Sequence, residues 1–501
     1  MQQPAVHLVQ LDDFHHHKLA DTENRQKRRS RWRFPPPRRT VVAMTRTHTR
    51  ETVSWAPLVA ASLGAFMLLV DVTIVMVALP GITADLSMSF TDAQWLLDGY
   101  ALALAALLLA AGSYADHTGR RKVYLGALAV FALASLACGL APSAELLLAA
   151  RLVQGVAAAA MMATTLALVS ATYHGRQRGL AFGVWGGVNG AAAAIAPVLG
   201  GLLTEHLHWR AIFLVNLPIS LVAAWLTLRG VEESRLPGGA RLDWAGMVTF
   251  TLAAGALTYG LIEAGEHGWA AARTLVPLAV AAAAFAAFLV AESRSANPML
   301  DLRLFAGRSF SGIMAGAGLI MPAAFACLAF TSLWLQQDLR LGPVMAGLAL
   351  SPMAATSLVA SVAVSRLFPG LSPRVAVGGG LLLVGAGALL QGTLGEHSGW
   401  AALAPGLVLT GLGVGLAVPA FSSAAMTYAP PQRAGMAAGT VNTVRQLGYA
   451  LGIALLGLLY RDGGGYAALN DVYLASAVTG VVAGLLVLVA VTGARQAAPR
   501  G

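Results

Sequence analysis

Residues 55–80 read WAPLVAASLGAFMLLVDVTIVMVALP and carry a single charged side chain, Asp71. About 20 apolar residues in a helix cross the roughly 30 Å of hydrocarbon in a bilayer. Runs of this kind recur at 94–114, 122–141, 145–171, 179–203, 211–229, 243–262, 273–292, 309–334, 343–367, 375–394, 400–427, 434–460 and 472–494. With the first, these predict an all-α polytopic membrane protein of fourteen transmembrane helices. The composition agrees. Hydrophobic residues make up 57% of the 501, and charged residues only 11%, where soluble domains carry about 25%. The 55 glycines suit helices that approach closely in lipid.

The net charge of +10 raises the question of nucleic acid, but its distribution argues for orientation in a membrane and no nucleic-acid partner. With the N-terminus inside, the inner loops hold Arg120, Arg121, Lys122, Arg176, Arg178, Arg229, Arg235, Arg241, Arg294, Arg303, Arg308, Arg366, Arg374 and Arg433. The outer loops hold Arg210, Arg273, Arg340 and Arg461. This excess predicts cytoplasmic termini in a plasma or inner membrane. Residues 1–54 are expected to form a basic, disordered tail that includes QKRRSRWRFPPPRR at 26–39, a match for anionic lipid. No signal peptide is expected, because no apolar core follows the charges before residue 56. Met44 opens the tidier stretch MTRTHTRETVSWAPL and is the expected native start. His15–His17 are a weak metal signal, so neither metal nor cofactor is expected. Cys138 and Cys327 lie in apolar runs and predict buried thiols with no disulfide.

Two halves are expected, residues 55–229 and 309–494, each of six helices. Residues 230–308 supply a linker and an inserted pair, helices 7 and 8, and 495–501 a short cytoplasmic tail. GRQRGLAFG before helix 5 and PPQRAGMAAG before helix 13 repeat a Gln-Arg pair at the mouth of a Gly-rich helix. GSYADHTGRRK after helix 2 has a degraded counterpart, SRLFPGLSPR, after helix 10. Parallel halves suit a transporter with its site between them.

The few charges inside the spans carry the chemistry. Asp71 lies about 14 residues into helix 1, roughly 20 Å deep at 1.5 Å per residue. A carboxylate there needs a partner or water and is a functional candidate. Arg151 enters helix 4 from the other side by about 9 Å, which brings it to a similar depth. Two readings fit the pair: a proton traded against substrate, and a structural ion pair. In the loop from Gly112 to Lys122, Asp116 faces Arg120 and Arg121 across Gly119. This reads as a latch between helices, or as a plain positively charged hairpin. Pro197, Gly200 and Gly201 read as a kinked, closely packed helix 5. Arg445 and Gln446 lie near mid-bilayer in helix 13, with a structural or a substrate-contacting role. Trp95, Tyr100, Trp185 and Trp334 are candidates for an aromatic cavity, with interfacial anchoring the rival reading for Trp95.

These motifs together resemble the major facilitator superfamily. GSYADHTGRRK resembles its signature loop. LVDVTIVMVALP (69–80) resembles the helix-1 motif of drug:proton antiporters, Arg151-Leu-Val-Gln154-Gly155 their proton-linked helix-4 motif, and Ala196-Pro197-Val-Leu-Gly200-Gly201 their antiporter motif. Trp209-Arg210 with Asn216 and Pro218, Asn297-Pro298-Met-Leu-Asp301, and Asn442-Thr-Val-Arg445-Gln446-Leu-Gly448 resemble the fourteen-helix branch. Three positions depart from the pattern: Met76 stands where Asn is common, Ala196 where Gly is usual, and Asp98 is not expected in helix 2. The resemblance implies the major facilitator fold and a proton-coupled multidrug antiporter conferring antibiotic resistance, acting as a monomer. Asp71 and Arg151 would couple protons. Gly112, Asp116, Gly119, Arg120 and Arg121 would form the conformational switch. Thr73, Asp98, Tyr100, Gln154, Asn216, Asn442, Arg445 and Gln446 are the candidate cavity residues. The alternatives are an exporter of one endogenous metabolite or antibiotic, and a proton symporter. A membrane enzyme is disfavoured, since the sequence has no H-E-x-x-H, nucleophile elbow or P-loop.

Overall fold

The computed structural model describes residues 55–173, 175–235, 243–295, 298–368, 371–430, 433–461 and 464–492. The basic tail with 26–39, His15–His17 and Met44, the C-terminal residues 495–501, and Asn297 lie outside them. The described residues form fourteen long helical segments and no strand. They are α1 (Ala56–Asp85), α2 (Phe90–Thr118), α3 (Arg120–Gly139), α4 (Ala144–Thr172), α5 (Gly175–His206), α6 (Ala211–Gly230), α7 (Trp244–His267) and α8 (Ala272–Arg294). After them come α9 (Arg308–Gln337), α10 (Pro343–Leu367), α11 (Pro373–Gln391), α12 (Ala404–Tyr428), α13 (Ala434–Arg461) and α14 (Gly465–Ala490). The fourteen expected spans are all present.

Local chemistry sets where they begin. The expected start of α2 at 94 moves to Phe90, because Ser89 and Asp92 form a reciprocal capping box. The twelfth span opens at Trp400–Leu403 as a 3-10 turn and becomes α-helix at Ala404. The fourteenth starts at Gly465 and not at 472, directly after Gly464, whose φ of +58° suits glycine. Two helices are irregular. α6 is interrupted between Leu214 and Asn216, and α9 contains a π-helical stretch at Met321–Ala326 next to Pro322.

Consecutive helices run in opposite directions. The turns after α1, α3 and α5 meet where Arg210 bonds Asp85 Oδ2 at 2.7 Å and the Ala141 carbonyl at 3.1 Å; this is the far end. The turns after α2 and α6 meet where the Arg120 amide donates to the Ser234 carbonyl at 3.0 Å; this is the basic end. Ala56 lies beside Gly230, and Thr492 beside Ser309. The helical bundle therefore starts and finishes at the basic end.

Apolar side chains cover the outside, as bilayer solvent requires. Leu221 and Val489 are each 72% exposed, and α8 presents Val276, Val280, Phe285 and Val290. Both cysteines are buried and free. α2 packs along α13, and α5 along α10. The second contact is backbone on backbone: a methyl at Gly201 would stand 2.5 Å from the Pro343 carbonyl oxygen. α7 packs against α2 and α13, with α8 on its other side. At the far end Thr91 bonds Glu266, Gln94 bonds the Ile453 carbonyl at 3.2 Å, and Gln336 bonds the Val77 carbonyl at 2.8 Å.

Candidate functional site

Asp71 lies at the middle of α1 with its side chain at 0% exposure, and Arg151 of α4 at 1%. Arg151 Nη1 donates to Asp71 Oδ2 at 2.5 Å. The other oxygen, Oδ1, accepts from Gln154 Nε2 at 3.0 Å and from Asn216 Nδ2 at 2.9 Å. Ser135 of α3 closes the set, accepting from Gln154 at 2.8 Å and Asn216 at 3.3 Å. Four helices thus converge on one carboxylate. Gln154 is one turn on from Arg151, so α4 presents both on one face. Asn216 reaches Asp71 from the interruption in α6. A buried ion pair with its remaining lone pairs filled meets the condition under which such a pair persists out of water.

Arg151 also donates to the Leu96 carbonyl at 3.4 Å and lies 4.3 Å from the Tyr100 ring centroid, with Phe213 at 5.8 Å. Gly155 makes this stacking possible: a methyl there would stand 2.5 Å from the Tyr100 carbonyl oxygen. The Tyr100 hydroxyl has no hydrogen-bond partner among the described residues. Tyr100→Phe is therefore expected to leave thermal stability unchanged or slightly raised. Tyr100→Ala removes the ring under the guanidinium and is expected to cost about 3 kcal/mol or more. Melting of the two purified variants in detergent checks the contrast; equal losses would contradict it.

α2 and α13, which pack together, carry further buried polar atoms. Asp98 is fully buried, and neither of its oxygens has a hydrogen-bond partner among the described residues. The Tyr449 hydroxyl and Arg445 Nε also lack partners among the described residues. Thr73 and Asn442, expected in a cavity, bond the Leu69 and Ala438 carbonyls of their own helices. Gln446 is half-buried on α13. Gln154 and Asn216, also expected to line the cavity, both bond Asp71.

At the basic end Asp116 Oδ1 accepts from Arg120 at 2.8 Å, and the pair is i,i+4 across the turn. Arg121 does not join it; its guanidinium donates to the Leu228 carbonyl of α6 at 2.8 Å. Gly119, at φ +123°, makes the turn. Gly112 lies beside Ala163 of α4. Glu233 accepts the Arg121 and Lys122 amides at 3.0 and 3.2 Å and so satisfies the start of α3. Sequence reasoning missed Ser135 and Glu233, and nothing in their local sequence marks them. It also missed Asp85, which accepts from Trp209 and Arg210 at 2.9 and 2.7 Å; its cue was an acid at a helix end opposite a Trp-Arg pair. Pro197 lies in α5 with its carbonyl against Gly347, and Gly200 against Ile74.

No metal ligand set was expected. At the far end of α7, ligand atoms of Glu263, Glu266 and His267 come within 4.8 Å of one another. Arg273 reaches His267 Nε2 at 3.3 Å and can only donate there. His267 Nδ1 lies 3.0 Å from Glu263 Oε2.

Fourteen apolar helices around a buried acid–base pair define a multi-pass membrane transporter. The chain belongs to the major facilitator superfamily, whose family model matches residues 61–453 and 314–500. It is 38% identical over 401 residues to the multidrug resistance protein Stp of Mycobacterium tuberculosis, covering 80% of this chain and 74% of that one. It is 35% identical over 415 residues to the tetracenomycin C resistance and export protein of Streptomyces glaucescens, covering 81% and 76%. It is 36% identical over 444 residues to the puromycin resistance protein pur8 of Streptomyces alboniger, covering 87% and 88%. Among solved structures, a peptide transporter crystallised with sulfate superposes with a TM-score of 0.66 at 13% identity, over 86% of this chain and 93% of that one. The human organic anion transporter MFSD10 gives 0.62 at 17%, over 86% and 99%. These two show a shared fold.

Proposed function

We propose that this chain exports small amphipathic compounds, cations among them, across the cell membrane in exchange for protons. The observation that carries the reading is the Asp71 carboxylate, buried at mid-helix and held by Arg151, Gln154 and Asn216. A carboxylate of this kind has two stable conditions, ionised with its cation or protonated without it. Protonation from the outer side would release Arg151. Loss of that proton to the inside would restore the pair seen here. Substrate competes for the same field. The relatives' names support export: multidrug resistance, tetracenomycin C export and puromycin resistance. Two of these name a single antibiotic, which favours as a second reading a pump dedicated to one compound.

The basic end is read as cytoplasmic and the functional unit as a monomer. The α2–α13 and α5–α10 contacts exchange when helix n is paired with helix n+8, as two six-helix repeats flanking an inserted α7–α8 pair require. The far-end contacts close the outside in this conformer. Asp116 is then engaged within its own loop by Arg120, free to reach across to a neighbouring helix when the inside closes.

Asp98 is read as an auxiliary acid that adds to the negative field felt by a cationic substrate, because an unpartnered buried acid attracts a cation. Asp98→Asn is expected to lower export of ethidium about tenfold, a change of about 1.4 kcal/mol, while export of uncharged substrates persists. Equal losses for both would remove this role. The general test is resistance profiling of a drug-sensitive bacterial host with and without the gene. Resistance that disappears with a proton uncoupler supports the reading; resistance unaffected by it overturns the coupling.

A further inference from the structure

On the outer surface of the bundle, at the basic end, α2, α3 and α4 diverge around a groove of about 380 Å³. Each helix lends one face. α3 gives Lys122, Gly126 and Val130 at i, i+4 and i+8, and α2 gives Tyr114 and Thr118. The hollow follows from small residues. A methyl at Gly126 would meet nothing within 4 Å, and α4 presents Ala157 in the groove floor. Val130 and Tyr114 are 41% and 48% exposed, so the groove opens sideways to lipid. Its volume is that of a small-molecule site.

The two ends of the groove differ. From Lys122 to Val130 it runs about 12 Å along α3 at 1.5 Å per residue, close to the roughly 15 Å of one leaflet's hydrocarbon. Its deep part is apolar. Its polar lining residues are Tyr114 and Thr118 near the end of α2 and Lys122 in the first turn of α3, toward the basic end. Lys122 is exposed and has no ion pair among the described residues; only its backbone amide is used, by Glu233. It is also the chain's one lysine beyond residue 27. An ammonium on a flexible stem is a point-charge partner for phosphate.

We infer that this groove binds an anionic diacyl phospholipid, with one acyl chain along Gly126 and Ala157 and the headgroup phosphate on Lys122. Basic pockets between membrane helices select such headgroups. The full-length protein, purified and stripped of lipid, would be titrated with phosphatidylglycerol and with phosphatidylcholine of the same acyl chains, and occupancy read by native mass spectrometry. Wild type is expected to prefer phosphatidylglycerol about fivefold, the contribution of one cation near a lipid phosphate. Lys122→Gln is expected to abolish the preference while still binding phosphatidylcholine, and Lys122→Arg to retain it. Gly126→Leu fills the groove and is expected to lower binding of both lipids. Glycerol phosphate is expected not to compete. No preference in wild type, an unchanged preference in Lys122→Gln, or full competition by glycerol phosphate would each overturn the site. Melting in phosphatidylcholine verifies that each variant is folded.

Discussion

Asp71→Asn is expected to reduce pH-driven substrate accumulation in inverted vesicles by more than about 100-fold while the protein still reaches the membrane. The asparagine fills the same space and keeps one acceptor for Gln154 and Asn216, but it has no charge to lose or gain. Arg151 is left as a buried cation facing a neutral amide. Removing one member of a buried pair costs about 3–5 kcal/mol, and about 3 kcal/mol corresponds to more than a hundredfold in an equilibrium. The loss falls on coupling before it falls on folding, because Tyr100 and the Leu96 carbonyl still hold the guanidinium. Substrate binding in detergent is the companion measurement, and it is expected to survive. Accumulation within threefold of wild type would reduce the pair to the structural reading that the sequence left open.

Gly347→Ala is expected to be the most damaging single methyl at the α5–α10 contact. The new carbon would fall against the Pro197 carbonyl oxygen and 2.7 Å from its carbonyl carbon. Those are backbone atoms of the facing helix, so no side chain can turn aside and the helices must separate. Overpacking of this kind costs about 1–3 kcal/mol. The cost applies only where the two helices touch, so it shifts the population toward a conformer open at the far end. Spin labels at Leu207→Cys and Met345→Cys, both exposed, would report a longer-distance population. Gly187→Ala is the control, since a methyl there meets nothing within 4 Å. An unchanged distance distribution for Gly347→Ala would show that this contact does not gate the far end.

The helices were legible because lipid imposes one rule on every span, and each span declares itself by length and apolarity alone. Their ends were less legible where a cap outweighed hydropathy, as at Ser89, or where a glycine at positive φ brought the next helix forward, as at Gly464. Asp71 and Arg151 were legible because charge is so costly in lipid that depth along a helix nearly identifies the partner. The rest of their shell was not. Ser135 is one more small polar residue in an apolar run, and only the crossing of α3 with α4 and α6 brings it to Gln154 and Asn216. Gln154 and Asn216 were found as polar residues, but their bonds to Asp71 were not foreseen, because a sequence does not say which face of a helix a neighbour covers. The contacts of the loop from Gly112 to Lys122 were half legible. Arg120 follows from i,i+4 spacing, whereas Arg121 is drawn to the Leu228 carbonyl by α6, whose position no local pattern encodes.

The central claim is that proton and substrate compete at one carboxylate. The direct measurement is proton release from purified protein in weakly buffered detergent when the compound it exports most strongly is added. Wild type is predicted to release protons saturably with substrate, and Asp71→Asn to release none while still binding the compound. Saturable binding to wild type without proton release, or undiminished release from Asp71→Asn, would contradict the account.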